Sequence, residues 1–188
     1  MDTPPTIFPL WKLPMLPIAG RAERFPVHRI FCIGRNYAEH VREMGNDPAG
    51  KPIFFTKPSS SLRLNGAQIP YPLSTANFHH EVELVVALDK GGTNIPIEQA
   101  QDHIYGYAVG VDLTRRDLQE VAKDKGQPWD ASKAFDDSAP CSELYEVAQI
   151  GHPSRGAIWL SVNGEMRQQG DLNLSLIHIS EPTRPSVI

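Results

Sequence analysis

The stretch N-F-H-H-E-V-E-L-V-V-A-L, residues 77 to 88, constrains this chain more than any other. From Glu81 onward it alternates, with Val82, Leu84, Val86 and Leu88 on one side and Glu81, Glu83, Val85 and Ala87 on the other. That is the two-residue period of a β-strand with one fully apolar face. The chain therefore needs a sheet, and the sheet must accommodate Glu81 and Glu83 pointing the same way. Carboxylates two apart on a strand sit roughly 6 to 7 Å apart and repel unless a cation or hydrogen-bond donors lie between them. Either a divalent metal removes that conflict, or the acids stand on an exposed strand edge and face water.

Size and charge narrow the setting. A length of 188 residues suffices for one substantial domain and not for two large ones. With 18 basic against 22 acidic residues, a net charge of -4 and no basic tract, the chain is expected to bind neither nucleic acid nor an anionic membrane. Seventeen prolines, where average usage of about 5% gives roughly nine, indicate a loop-rich, β-containing domain and not a helical bundle. Met1-Asp2-Thr3-Pro4-Pro5 has neither a basic start nor an apolar core, and no apolar run approaches the roughly 20 residues of a membrane span. Cys32 and Cys141 are far apart and form no paired metal or redox spacing, which suits a reducing, cytoplasmic location.

Taken in order, residues 1–27 are proline-rich and read as an extended arm laid over the domain. A short apolar strand over 29–33 ends at Gly34, and a helix is expected from about Ala38 to the Gly45-Asn46-Asp47-Pro48 stop. His40 and Glu43 share a face of that helix. A carboxylate beside an imidazole suits a general base that activates water, although a surface His-Glu pair has the same spacing. A second strand covers 53–56, and the lone Lys57 after it says little. Asn94 and Pro96 predict a short helix to about His103, followed by a strand over 105–112 ending in Asp112. An acid at a strand's C-terminal end can face a cleft, or it can be a simple helix-start acid. Thr114-Arg115-Arg116-Asp117 reads as a capping box opening a helix to Lys125, with Gly126 as its stop. Residues 128–135 read as irregular, with Lys133 partly desolvated among small and aromatic neighbours. Asn163-Gly164 between 157–162 and 165–169 is a hairpin signal.

Together and in this order, several blocks resemble the fumarylacetoacetate hydrolase family. They are G-R-N-Y-A-E-H-V-R-E-M at 34–44, F-T-K-P at 55–58, H-H-E-V-E-L at 79–84, V-D-L-T-R-R-D at 111–117, G-Q-P-W-D at 126–130, S-K-A-F-D at 132–136 and V-N-G-E-M-R-Q at 162–168. The resemblance implies that Glu81, Glu83 and Asp112 bind Mg2+ or Mn2+, an all-oxygen set suited to a hard cation. It further implies His40 and Glu43 as the catalytic dyad, Lys133 as the active-site lysine, and Arg35, Lys57 and Arg116 as substrate or supporting contacts. The implied reaction is hydrolysis of a carbon-carbon bond in a small β-diketo acid. The opening segment and H-H-E-V-E-L-V-V-A-L most resemble bacterial members that split fumarylpyruvate into fumarate and pyruvate in gentisate breakdown. Decarboxylation of oxaloacetate or isomerisation of a diacid is the alternative within the family, and a non-catalytic truncated product the alternative outside it.

The fold expected from the resemblance is α+β, a mixed, rolled β-sandwich incomplete at its C-terminus, in a homodimer when full length. The domain spans 28–173, after the arm of 1–27. Residues 174–188, beginning L-S-L-I-H-I-S-E-P-T-R-P, do not continue the family pattern and look like the translation of a sequencing-library adaptor. They are expected to be an artefactual tail, and the chain as written is expected to be impaired in activity.

Overall fold

The computed structural model describes residues 5–34 and 53–174. Two short antiparallel pairs open it: β1 (Met15–Pro17) with β2 (Arg24–Pro26), and β3 (Ile30–Gly34) with β4 (Ile53–Lys57). After β5 (Leu62–Leu64) and the two-residue β6 (Phe78–His79) comes β7 (Val82–Leu88), the strand expected from the alternation. A 3-10 helix over Ile97–His103 leads into β8 (Ile104–Val111). Next follow β9 (Thr114–Arg115), α1 (Arg116–Asp124) and a single turn, α2 (Asp130–Lys133). The last part holds β10 (Ala139–Cys141), β11 (Tyr145–Glu146), the one-turn α3 (Val147–Ile150), and the hairpin of β12 (Ala157–Val162) with β13 (Glu165–Asp171).

The eight-residue β8 is the centre of a five-stranded mixed sheet. One edge pairs along its length with β7, and the other pairs with β10 and β11, all antiparallel, while β10 continues in parallel to β5. Close approach explains Gly106 on β8: a Cβ there would meet the Tyr145 carbonyl of β11.

The core lies between this sheet and the N-terminal hairpin. Leu16, Ile18 and Val27 from the arm pack with Leu62, Ala87, Ala108, Cys141 and Leu144. The proline-rich arm is thus a core layer over the sheet, pinned by backbone bonds from Ala19 N to Leu144 O and from Leu144 N to Pro17 O, both 2.8 Å.

Burial on β7 corrects the simplest account of its alternation. Val85 and Ala87, on the same side as the two glutamates, join the main core cluster, whereas on the all-apolar side Val82 is buried outside that cluster and Leu88 is half exposed. The acid-bearing face is therefore continuous with the hydrophobic core.

Three local expectations also need correction. Arg115, not Thr114, caps α1, and it makes no side-chain capping bond. Asp117 instead accepts bonds from Thr75 Oγ1 at 2.6 Å and Ala76 N at 2.9 Å, tying the helix to the loop before β6. Residues expected to be irregular contain α2, because the Ser132 and Lys133 amides both reach Trp129 O at 2.9 Å. The helix expected over 94–103 is a tighter 3-10 turn series beginning after Pro96. The Asn163-Gly164 hairpin is as expected, with φ of +54° and +82° at its two central residues, as a type I′ turn requires.

Candidate active site

Two elements end at one point and define the site. At the start of β7, Glu81 and Glu83 project from the core-side face, and β8 ends at Val111, so Asp112 follows at once. The Asp112 amide donates to Glu81 O at 2.7 Å, which locks the two strand ends together and sets their carboxylates side by side.

Lys133 enters from α2. It is 2% exposed, and its ammonium donates to Glu81 Oε2 at 2.8 Å, Asp112 Oδ2 at 2.6 Å and Thr114 Oγ1 at 2.6 Å. All three N–H donors are thereby used, and the Phe55 ring lies 5.2 Å away. This is far more complete desolvation than the flanking sequence suggested. Arg116, the first residue of α1, donates to the other Glu81 oxygen and to Gln119 Oε1.

Electrostatics separate the two glutamates. Burial opposes ionisation of Glu81, but Lys133 and Arg116 outweigh it and hold the carboxyl below its usual range. Glu83 makes no ion pair among the described residues: burial, then the charges of Glu81 and Asp112, push it up to about 8 against a weaker pull from Lys133. Two neighbouring acids on one strand face thus differ in protonation at neutral pH.

Lys57, 3% exposed at the end of β4, stands behind Asp112. Its Nζ donates to Leu113 O at 3.1 Å and to Lys133 O, and lies 2.9 Å from Asp112 Oδ1. That last contact is an ion contact without hydrogen-bond geometry, so the buried Asp112 Oδ1 lacks a hydrogen-bond donor among the described residues. Desolvation lowers the Lys57 ammonium from its ordinary value, against the pull of Asp112. A cleft of about 390 Å³, lined by Phe55, Gln127, Trp129 and Lys133 among others, opens beside the lysine.

The structure therefore brings together six sequence-expected residues: Lys57, Glu81, Glu83, Asp112, Arg116 and Lys133. His40, Glu43 and Arg35 lie outside the described residues. Thr114 and Gln168 were missed. Thr114 had been assigned to capping, yet its fully buried hydroxyl accepts from Lys133 and donates to Asp112 O at 3.3 Å. Gln168 sat in a hairpin signal, yet its side-chain oxygen accepts the Val82 amide, the peptide between the two glutamates, at 2.7 Å. Both belong to blocks quoted for the resemblance, which was the available signal.

Among the described residues no three acidic, histidine or cysteine side chains stand close enough together to hold a metal ion. The Lys133 ammonium bridges Glu81 and Asp112 instead. The donor set nevertheless fits a hard cation: three carboxyls, a buried Asp112 oxygen without a donor among the described residues, and a Glu83 whose ionisation is opposed by burial and by its acidic neighbours. Cys32 and Cys141 are free thiols pushed up by burial to about 12 and about 11, and so stay protonated and unreactive. No helix among the described residues is long and apolar enough to cross a membrane.

Fold and site define the class: an α+β domain in which carboxyls gather on a buried lysine at the ends of two paired strands. The chain belongs to the fumarylacetoacetate hydrolase family, since the family model described as "Fumarylacetoacetate (FAA) hydrolase C-terminal" matches residues 29–182. The crystal structure of fumarylpyruvate hydrolase from Pseudomonas aeruginosa, in complex with Mn2+ and pyruvate, is similar with a TM-score of 0.88 and 45% identity, covering 93% of this chain and 80% of that one. The mitochondrial oxaloacetate tautomerase FAHD1 of Mus musculus is 43% identical over 150 residues, 80% of this chain and 68% of its own length. The mitochondrial oxaloacetate decarboxylase of Dictyostelium discoideum is 38% identical over 152 residues, 80% of this chain and 70% of its own.

Proposed function

We propose that this family member is a divalent-metal-dependent acylpyruvate hydrolase that cleaves fumarylpyruvate to fumarate and pyruvate. The observation that carries the substrate assignment is the likeness, at 45% identity over 93% of the chain, to the Pseudomonas aeruginosa fumarylpyruvate hydrolase. Glu81, Glu83 and Asp112 would hold Mg2+ or Mn2+. Such a cation would supply Lewis-acid polarisation of the keto acid and would favour the ionised form of Glu83.

The chain's own residues divide the remaining work. Arg116 and Gln119 fix Glu81, and Lys57 backs Asp112. His40, paired with Glu43, takes a proton from the water that attacks the distal carbonyl. As the carbon-carbon bond breaks, its electron pair passes to the pyruvate fragment as an enolate, and the proton that returns to carbon completes pyruvate. Lys133, whose three N–H donors are held by Glu81, Asp112 and Thr114, acts on the developing charge through its buried positive charge, which low dielectric strengthens. The protein is proposed to work as a cytoplasmic homodimer on this small diacid.

A second reading follows from the Mus musculus and Dictyostelium discoideum relatives: enol-keto tautomerisation or decarboxylation of oxaloacetate. The same lysine and carboxyls can serve an enolate from either substrate. Initial rates with Mn2+ on fumarylpyruvate and on oxaloacetate separate the two. Faster turnover of fumarylpyruvate, with pyruvate and fumarate released in equal amounts, is expected; turnover of oxaloacetate alone overturns the hydrolase reading.

A further inference from the structure

Among the described residues, Lys57 turns its ammonium toward the backbone and a carboxylate. Its ammonium reaches two backbone carbonyls, Leu113 O at 3.1 Å and Lys133 O, and touches Asp112 Oδ1 at 2.9 Å. These three points lie on the turn after β8 and the last residue of α2, while Lys57 itself is the last residue of β4.

The attachment matters because α2 is one turn long. Four residues are too few for a helix to hold itself in place by its own hydrogen bonds, so the position of Lys133 depends on what grips α2 from outside. At its end the Lys133 carbonyl accepts from Lys57 and from Ser138 Oγ at 3.0 Å. Asp112 is in a comparable position, one residue past its strand. A single buried cation thus anchors the backbone of Lys133 and the carboxylate of Asp112, whose side chains meet at 2.6 Å.

We propose that Lys57 is a positioning residue for the reaction, setting the distance between Lys133 and Asp112, and makes no contact with substrate. This rests on the reading of the cluster as a metal-dependent active site. Replacement of an outer partner of a metal-holding carboxylate weakens metal binding by about 10- to 100-fold. A pure substrate contact instead changes KM and leaves metal affinity alone.

The test compares the protein with Lys57→Met, using Mn2+ alone in titration calorimetry and then initial rates on fumarylpyruvate at saturating Mn2+. The expected result is Mn2+ binding weakened by about tenfold or more, with kcat reduced by a similar factor and KM within about threefold. A raised KM with kcat and Mn2+ affinity unchanged overturns the proposal in favour of a substrate contact. Unchanged affinity and kinetics with only a lower melting temperature overturns it in favour of a structural role. Lys57→Gln, which keeps a neutral donor group, is measured identically, and failure of both variants to fold in Mn2+ also assigns Lys57 to stability alone. If the unsubstituted protein binds Mn2+ but hydrolyses no fumarylpyruvate, the functional reading has failed, and the Mn2+ comparison alone decides the role of Lys57.

Discussion

Replacing Glu83 by Gln removes an acid that the metal-free fold holds in an unfavourable state. The folded carboxyl titrates at about 8 because of burial and two acidic neighbours, against an ordinary value of 4.5. A folded value above the unfolded one means that this group's stabilising contribution is complete below about pH 4.5 and is lost as pH rises to about 8. At pH 7 the unfolded chain gains from ionising Glu83 while the folded chain keeps it protonated. At about 1.4 kcal/mol per pH unit between 4.5 and 7, this lowers folding stability by ~3 kcal/mol relative to a neutral side chain of the same shape. Glu83→Gln should therefore raise the stability of the metal-free protein at pH 7 by that amount, or its melting temperature by roughly 6 to 12 °C for a chain of this size. Urea unfolding in EDTA, followed by tryptophan fluorescence at about pH 5, 7 and 9, isolates the effect as the difference between the two proteins. The difference should grow from under about 1 kcal/mol at the acidic end to between about 4 and 5 at the basic end. Excess Mn2+ should stabilise only the unsubstituted protein, by about 2.7 kcal/mol at a hundred times its dissociation constant. Equal stability of the two proteins at neutral pH, or a difference that does not grow with pH, would refute the argument that burial and acidic neighbours hold Glu83 protonated.

Three further outcomes test how the sheet positions the site. Gln168→Leu strips the Val82 amide of its acceptor, which should lower stability by about 1 to 3 kcal/mol; an unchanged urea midpoint would mean that the hairpin does not brace the acid strand. Gly106→Ala forces a Cβ against the Tyr145 carbonyl and should destabilise by about 1 to 3 kcal/mol, checked by thermal unfolding. Leu144→Ala, at a fully buried position joining the N-terminal arm to the sheet, should cost about 2 to 5 kcal/mol in the same assay. A loss below about 1 kcal/mol there would show that the arm is not part of the core.

Local pattern carried much of this fold. The alternation over 82–88, the apolar run closing at Asp112 and the Asn-Gly turn each specify an element, because a strand's two-residue period and a type I′ turn's positive φ are properties of a few adjacent residues. The acidic and lysine members of the site were legible as residue types in characteristic blocks. Thr114 was misread because its local pattern suits a cap, whereas a lysine 19 residues later claims the hydroxyl. A buried ammonium gains more from that oxygen than a helix end with access to water does.

By itself, then, the sequence determined the strands β3, β4, β7, β8, β12 and β13, the turn between the last two, and which acids and lysines are available; the short strands of the arm and of the sheet edge it did not. Tertiary structure alone decided that the glutamates share a face with the core and that Lys133 bridges Glu81 to Asp112 across 52 and 21 residues. It also decided that Lys57 reaches the Lys133 carbonyl across 76 residues, and that Glu81 ionises while Glu83 does not. The reason is physical. Charge state depends on the dielectric and the ions within a few ångströms, and those neighbours are fixed only when distant segments close on one another.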